Sequence, residues 1–203
     1  MLKILNELYT RIDRWAFDAV TDYRACRIVN ILREALKDGD TILDCGCGSM
    51  YIPQLLENRA GVRAFGTDII KLNQVHPRFC ICNGANLSFS DGSFDSVFLA
   101  FVLHHTVDQE QTIQECLRVA RRRVIILEDV FYNRLELELL KRLDVLGNHV
   151  ISNDMPYPFT FQTPSGWRTL FAGLNARVTV EKGIRPIPWR PSRHRMFVLE
   201  KDV

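Results

Sequence analysis

Thr41-Ile42-Leu43-Asp44-Cys45-Gly46-Cys47-Gly48-Ser49-Met50 is the stretch on which the reading of this chain turns. An apolar segment ends in a carboxylate. Two glycines spaced by one residue follow, and a helical pattern starts near residue 50. Glycine accepts positive φ and lets a ligand approach the main chain. After a parallel strand, such a turn brings backbone against a nucleotide-like ligand. A dinucleotide fingerprint would continue to a third glycine, G-x-G-x-x-G. Here Met50 and Tyr51 follow instead. Nothing in the run cradles a pyrophosphate, so it favours a nucleoside cofactor without phosphates over NAD.

Working outward, strand and helix signals alternate. Thr41–Cys45 reads as strand one, about 50–59 as a helix with Pro53 in its first turn, and Val62–Thr67 as strand two. A short helix near 70–75 and a strand at 79–82 follow. The continuous apolar run Val97–Val102 suits a central parallel strand covered on both faces. Thr106 and Gln109 have capping-box spacing before a helix with Ile113, Cys116, Leu117 and Ala120 on one face. Arg123–Leu127 is the next strand. This alternation predicts an α/β fold, a doubly wound and mostly parallel sheet. Helices are expected over 2–20, 22–37, 131–147 and around Trp167, with Ala176–Val180 and His194–Leu199 completing the sheet as an antiparallel pair. The 203 residues read as one domain (1–203), with an N-terminal helical cap (1–37) and a substrate-side insertion (131–163).

Ligands of open parallel sheets bind outside the carboxyl ends of the strands. That rule gathers Gly46 and Gly48, Asp68, Asn83 and Gly84, the pair His104 and His105, and Glu128 and Asp129 at one rim. Asp68 lies 20 residues beyond Gly48, where a carboxylate can hold vicinal ribose hydroxyls or cap the following helix. Asp44 can orient a cofactor or be satisfied by turn amides.

Composition narrows the partners. The chain has 26 basic and 24 acidic residues, a formal charge of +2, which points to no polyanion. Arginines cluster at 118–123 and 185–195 without forming one stripe, so nucleic acid is disfavoured. The six cysteines show no secreted framework, and reduced thiols in packed strands are expected. Cys45-x-Cys47 and Cys80-x-Cys82 are spaced too tightly for the usual zinc pattern. Asp129 with Asn133 lacks a third carboxylate, so no metal site is expected. No apolar run reaches the roughly 20 residues of a membrane span, and a cytoplasmic location is expected.

The chain resembles the class I S-adenosylmethionine-dependent methyltransferases, in particular the small-molecule subgroup described as type 11. The resemblance rests on ILDCGCGS (42–49), FGTD (65–68), NGANLSFSDGSFDSVF (83–98), VLHHTVD (102–108) and ECLRVARRRVIILED (115–129). It implies S-adenosylmethionine as cofactor and a seven-stranded sheet of order 3-2-1-4-5-7-6 with strand seven antiparallel. Asp44, Gly46 and Gly48 would surround the amino-acid part of the cofactor, and Asp68 would hold the ribose. Asn83 and Gly84 would lie by the adenine with Leu87 below it, and Phe101 and the backbone near Leu103 would touch the methionine portion. Three positions depart from the family pattern. Met50 stands where a third glycine is usual, Asn83 where Asp is frequent, and Ser88 where Pro is usual.

Methyl transfer to oxygen or nitrogen often needs a base, and histidine titrates in the right range. His105 is the first candidate, His104 the second, and Asp129 could orient an acceptor hydroxyl or amine. Tyr9, Trp15, Tyr23, Glu128, Tyr132, Asn133 and the aromatics of 151–163 are candidates for the acceptor pocket. No appended module is evident, which favours a small or amphiphilic acceptor. The alternatives are a protein or nucleic-acid methyltransferase and a non-catalytic binding module of the same fold.

Overall fold

The computed structural model describes residues 19–72, 76–149, 157–174 and 176–201. The expected helix over 2–20 therefore falls almost wholly outside the described residues, and so do Tyr9 and Trp15.

Helix α1 (19–33) precedes β1 (Thr41–Cys45), an interior strand of a seven-stranded sheet. Helix α2 (Tyr51–Ala60) leads to β2 (Arg63–Asp68), and β3 is Phe79–Ile81. Next come β4 (Phe94–Ala100), a 3-10 turn at Leu103–His105, α3 (Gln109–Val119) and β5 (Ala120–Val130). Helices α4 (Arg134–His149) and α5 (Pro164–Ala172) precede β6 (Ala176–Ile184) and β7 (Arg193–Lys201). The spatial order is β3-β2-β1-β4-β5-β7-β6. Only the β5–β7 and β6–β7 pairings are antiparallel, so the expected order and polarity hold.

Strand periodicity divides the core. Leu43, Val97, Leu99, Val124 and Ile126 point to one face, beneath α3 and α5. Ile42, Phe98, Ile125 and Leu127 point to the other, beneath Ile28, Val29 and Leu32 of α1 and Leu56 of α2. Successive strand residues alternate faces, and both faces are covered, so the central strands read as nearly continuous apolar runs. Trp167 and Phe171 anchor α5, both within 1% of full burial. Truncating either to alanine costs about 3–5 kcal/mol.

Three local expectations change. The cap of α3 is Asp108, whose side chain accepts from the Gln111 amide at 2.9 Å, not a Thr106–Gln109 box. Thr106 and Gln109 instead both donate to the Leu103 carbonyl. Residues 69–72 are not helical, and 73–75 lie outside the described residues. Strand β5 begins at Ala120, three residues before the expected start at Arg123, because Arg121 and Arg122 find Asp95 and Asp40 at the strand's entry.

Candidate active site

The turn after β1 is built for close approach. Gly46 has φ +88°, and a Cβ there would meet Val102 Cγ2 at 2.4 Å. The Gly46 and Cys47 amides both donate to the Thr67 carbonyl, at 2.7 and 3.0 Å. Asp68, the last residue of β2, closes the loop. One carboxylate oxygen accepts from the Gly48 amide at 2.8 Å, the other from Ile70 at 3.0 Å. Each oxygen keeps acceptor capacity for a ligand hydroxyl. Met50 takes the left-handed conformation, φ +66°, that explains glycine's usual presence there. Its side chain is fully buried, with the sulfur over Gly66 of β2, and does not line the cleft.

A cleft of about 450 Å³ opens at the carboxyl ends of β1, β4 and β5. Asp44, Gly46, Gly48, Phe101, His104, His105 and Asp129 all line it. Asn83, Gly84 and Leu87 do not. They follow β3 next to Asp68, whose carbonyl receives the Cys82 amide. The Asn83 side-chain oxygen accepts from the Ala85 amide, and Leu87 is buried.

Asp44 is 2% exposed, and its Oδ1 has no hydrogen-bond partner among the described residues. Burial, then the nearby Cys45 and Asp68, pushes its carboxyl well above the ordinary range. An unpaired buried carboxylate is costly, and a cation placed against it removes that cost. The ammonium of an amino-acid ligand fits this donor set.

On the other side of the cleft, Glu128 is the anchor. It is fully buried, and its Oε1 accepts from the Val102 and Leu103 amides at 2.9 and 2.7 Å. Its Oε2 lies 2.7 Å from His104 Nδ1. His104 Nε2 and His105 Nε2 are each 3.4 Å from Asp144 Oδ1, which comes from α4. Burial opposes the charge on His104, but Glu128 and Asp144 outweigh it and lift its pKa to about 10. Burial likewise opposes ionisation of Asp144, and the two histidines hold it well below the usual range. Phe161 stacks on the His104 ring at 4.5 Å and 14°. Thr160, bonded to Gln109 and to the His104 carbonyl, ties that segment over the turn.

Asp129 faces His194 Nε2 at 3.1 Å. Burial works against its charge, yet His194, His104 and Arg190 keep it ionised below its ordinary value. Phe101 holds φ +63°, a strained state for an aromatic residue. The Arg24 guanidinium lies 4.4 Å above its ring. Burial lowers the Arg24 pKa, with Asp129 opposing.

Tyr23, Tyr132 and Asn133 take other roles. Tyr23 packs on Trp189, Tyr132 is half exposed under Arg193, and Asn133 accepts from the Glu136 amide at the start of α4. Sequence reasoning missed Arg24, Asp144, Ile187 and Arg190 in the cleft. Their signal is faint: charged or apolar residues in amphipathic helices and a loop, far from the glycine run.

Residues 43–127 match the family described as the methyltransferase domain. Over that stretch the chain is similar to methyltransferases. It is 27% identical over 139 residues to the ubiquinone/menaquinone biosynthesis C-methyltransferase UbiE of Xylella fastidiosa, covering 58% of this chain and 54% of that protein. The chain thus spans about half the length of the curated relatives it matches. A methyltransferase from Aquifex aeolicus superposes with a TM-score of 0.62 at 15% identity, covering 85% of this chain and 88% of that one. A geranyl diphosphate C-methyltransferase from Streptomyces coelicolor, solved with Mg2+, geranyl-S-thiolodiphosphate and S-adenosyl-L-homocysteine, gives 0.62 at 12% identity, covering 85% and 76%. These two likenesses bear on the fold. Among the described residues no helix is long and apolar enough to cross a membrane.

Proposed function

We propose that this protein moves a methyl group from S-adenosylmethionine to an oxygen, nitrogen or carbon of a small or amphiphilic molecule. The observation that carries the reading is the Asp44 carboxylate, buried, short of a partner, and set in the same cleft as the Asp144 cluster. When bound, the cofactor supplies an electrophilic methyl on a sulfonium.

The rest falls to the chain. Asp44 receives the cofactor ammonium, and the Gly46–Gly48 turn gives the amino-acid part room. Asp68 holds the ribose hydroxyls, while Asn83, Gly84 and Leu87 take the adenine. Phe101 bounds the methionine portion. On the acceptor side His105, beside Asp144, takes the acceptor's proton, and Asp129 orients it. His104 is the positioning residue. Its charge is held between Glu128 and Asp144, which fixes Asp144 beneath His105. Proximity and orientation account for most of the rate in such a reaction.

A small acceptor agrees with the charges. Arg118, Arg121, Arg122, Arg193 and Arg195 pair with carboxylates of the same chain, leaving no continuous basic face there for a nucleic acid. Val20, Thr21 and Arg24 of α1 and Leu143 and Asp144 of α4 line the cleft. This supports a substrate-side role for the N-terminal cap and for 131–163. The relative's C-methylation in quinone biosynthesis makes hydroxylated aromatics the first acceptors to try. The test is turnover. Incubation with S-adenosylmethionine and a phenol, hydroquinone and amine panel should yield S-adenosylhomocysteine and a methylated product. Cofactor binding without turnover on any small molecule would favour the binding-module reading.

A further inference from the structure

Three ligating atoms converge in the cleft: one ring nitrogen each of His104 and His105 and a carboxylate oxygen of Asp144, all within 4.8 Å of one another. We propose that they bind one divalent transition-metal ion, of which zinc is the best fit. The Asp144 Oδ1 atom is 3.4 Å from each Nε2. A tetrahedral ion with bonds of about 2.0–2.1 Å holds its ligands about 3.3–3.4 Å apart. The two carboxylate–imidazole separations already match those of a loaded site.

The surroundings supply what a histidine ligand needs. A metal-bound imidazole usually gives its other N–H to a carboxylate, which fixes its tautomer and strengthens it as a donor. His104 Nδ1 lies 2.7 Å from Glu128 Oε2, and this leaves Nε2 for the ion. Glu128 is itself pinned by the Val102 and Leu103 amides, so the whole turn bearing both histidines is held in place. Phe161, stacked on His104, fixes the ring plane. Two imidazoles and one carboxylate suit zinc, cobalt or nickel and disfavour calcium and magnesium, which prefer oxygen ligands.

Three ligands among the described residues, all lining the cleft, are the number that a catalytic rather than a structural ion takes from its protein. The ligand class drawn there is a small molecule with a hydroxyl or carboxylate oxygen. With the ion bound, His105 is a ligand and not a base. The inference rests on the geometry of the cluster alone and is measured without cofactor or acceptor, so it stands or fails separately from methyl transfer.

The test is titration of the metal-stripped full chain with Co2+, followed in the visible spectrum. One equivalent should bind with the strong d–d bands of tetrahedral coordination, and Zn2+ should displace it. Asp144→Asn and His105→Gln should each weaken binding by at least about tenfold, since losing a group that merely orients a ligating side chain already costs about 10–100-fold. Zinc should also raise the melting temperature of the unaltered chain and not of the variants. If Asp144→Asn fails to fold, His105→Gln carries the comparison alone. The proposal is overturned by no saturable binding. It is equally overturned by a sulfur-to-cobalt charge-transfer band that both variants retain, which would place the ion on cysteines.

Discussion

The Asp68 carboxylate accepts the Gly48 amide at 2.8 Å, so the end of β2 holds the glycine turn that follows β1. One side chain therefore shapes the glycine loop, and in the proposed reading the same carboxylate takes the ribose. Asp68→Ala should weaken S-adenosylmethionine binding by about 1–3 kcal/mol, the range for charge-assisted hydrogen bonds. It should also lower the melting temperature, because the loop loses its tie. Calorimetry and thermal denaturation on the same sample check both. An unchanged dissociation constant removes Asp68 from the ribose role.

Gly46 and Gly48 separate packing from strain. A Cβ on Gly46 would strike Val102 at 2.4 Å, whereas one on Gly48 would meet nothing within 4 Å among the described residues. Gly46→Ala should destabilise by roughly 2–4 kcal/mol, from overpacking added to a left-handed φ. Gly48→Ala should cost only about 1–2 kcal/mol, the left-handed penalty. Adding Val102→Ala should recover part of the first loss and none of the second. Denaturant midpoints of the four variants decide this.

Met50 sets two effects against each other. Met50→Gly relieves a left-handed methionine worth about 1–2 kcal/mol but empties a buried site, at about 2–5 kcal/mol. The cavity should win, and the variant should be less stable. Cofactor affinity should stay within about threefold, because Met50 lies off the cleft. A large affinity loss would mean the side chain shapes the pocket.

His104 gives a pH signature. Its pKa rises from an ordinary 6.5 to about 10 in the folded chain. A raised folded pKa adds stability that is complete below the unfolded value and is lost as pH climbs through the folded one. The ion-free protein should therefore lose stability between about pH 6.5 and pH 10. In His104→Gln that part of the profile should flatten. A steep loss that persists in the variant would assign it to another group.

The fold was legible where local pattern and tertiary demand agree. Ile42-Leu43 and the run from Val97 to Leu99 are apolar because both faces of the sheet are covered, and Asp44, Gly46 and Asp68 stand at strand ends by position alone. The capping-box reading failed because Asp108 offers a closer oxygen, freeing Gln109 to hold Thr160. The start of β5 was hidden because Arg121 and Arg122 resemble a surface cluster until Asp95 and Asp40 are brought beside them. Asp144, Arg24 and Arg190 carry no local signature. Each is a polar residue of an ordinary segment, and only packing turns it into the cleft.

The most direct test of the account is calorimetric titration of the folded chain with S-adenosylmethionine and S-adenosylhomocysteine, beside Asp44→Asn. The account expects saturable one-to-one binding of both ligands, weakened about tenfold or more when the buried carboxylate loses its charge. No binding at millimolar ligand by a folded sample, or binding that Asp44→Asn leaves unchanged, would contradict it.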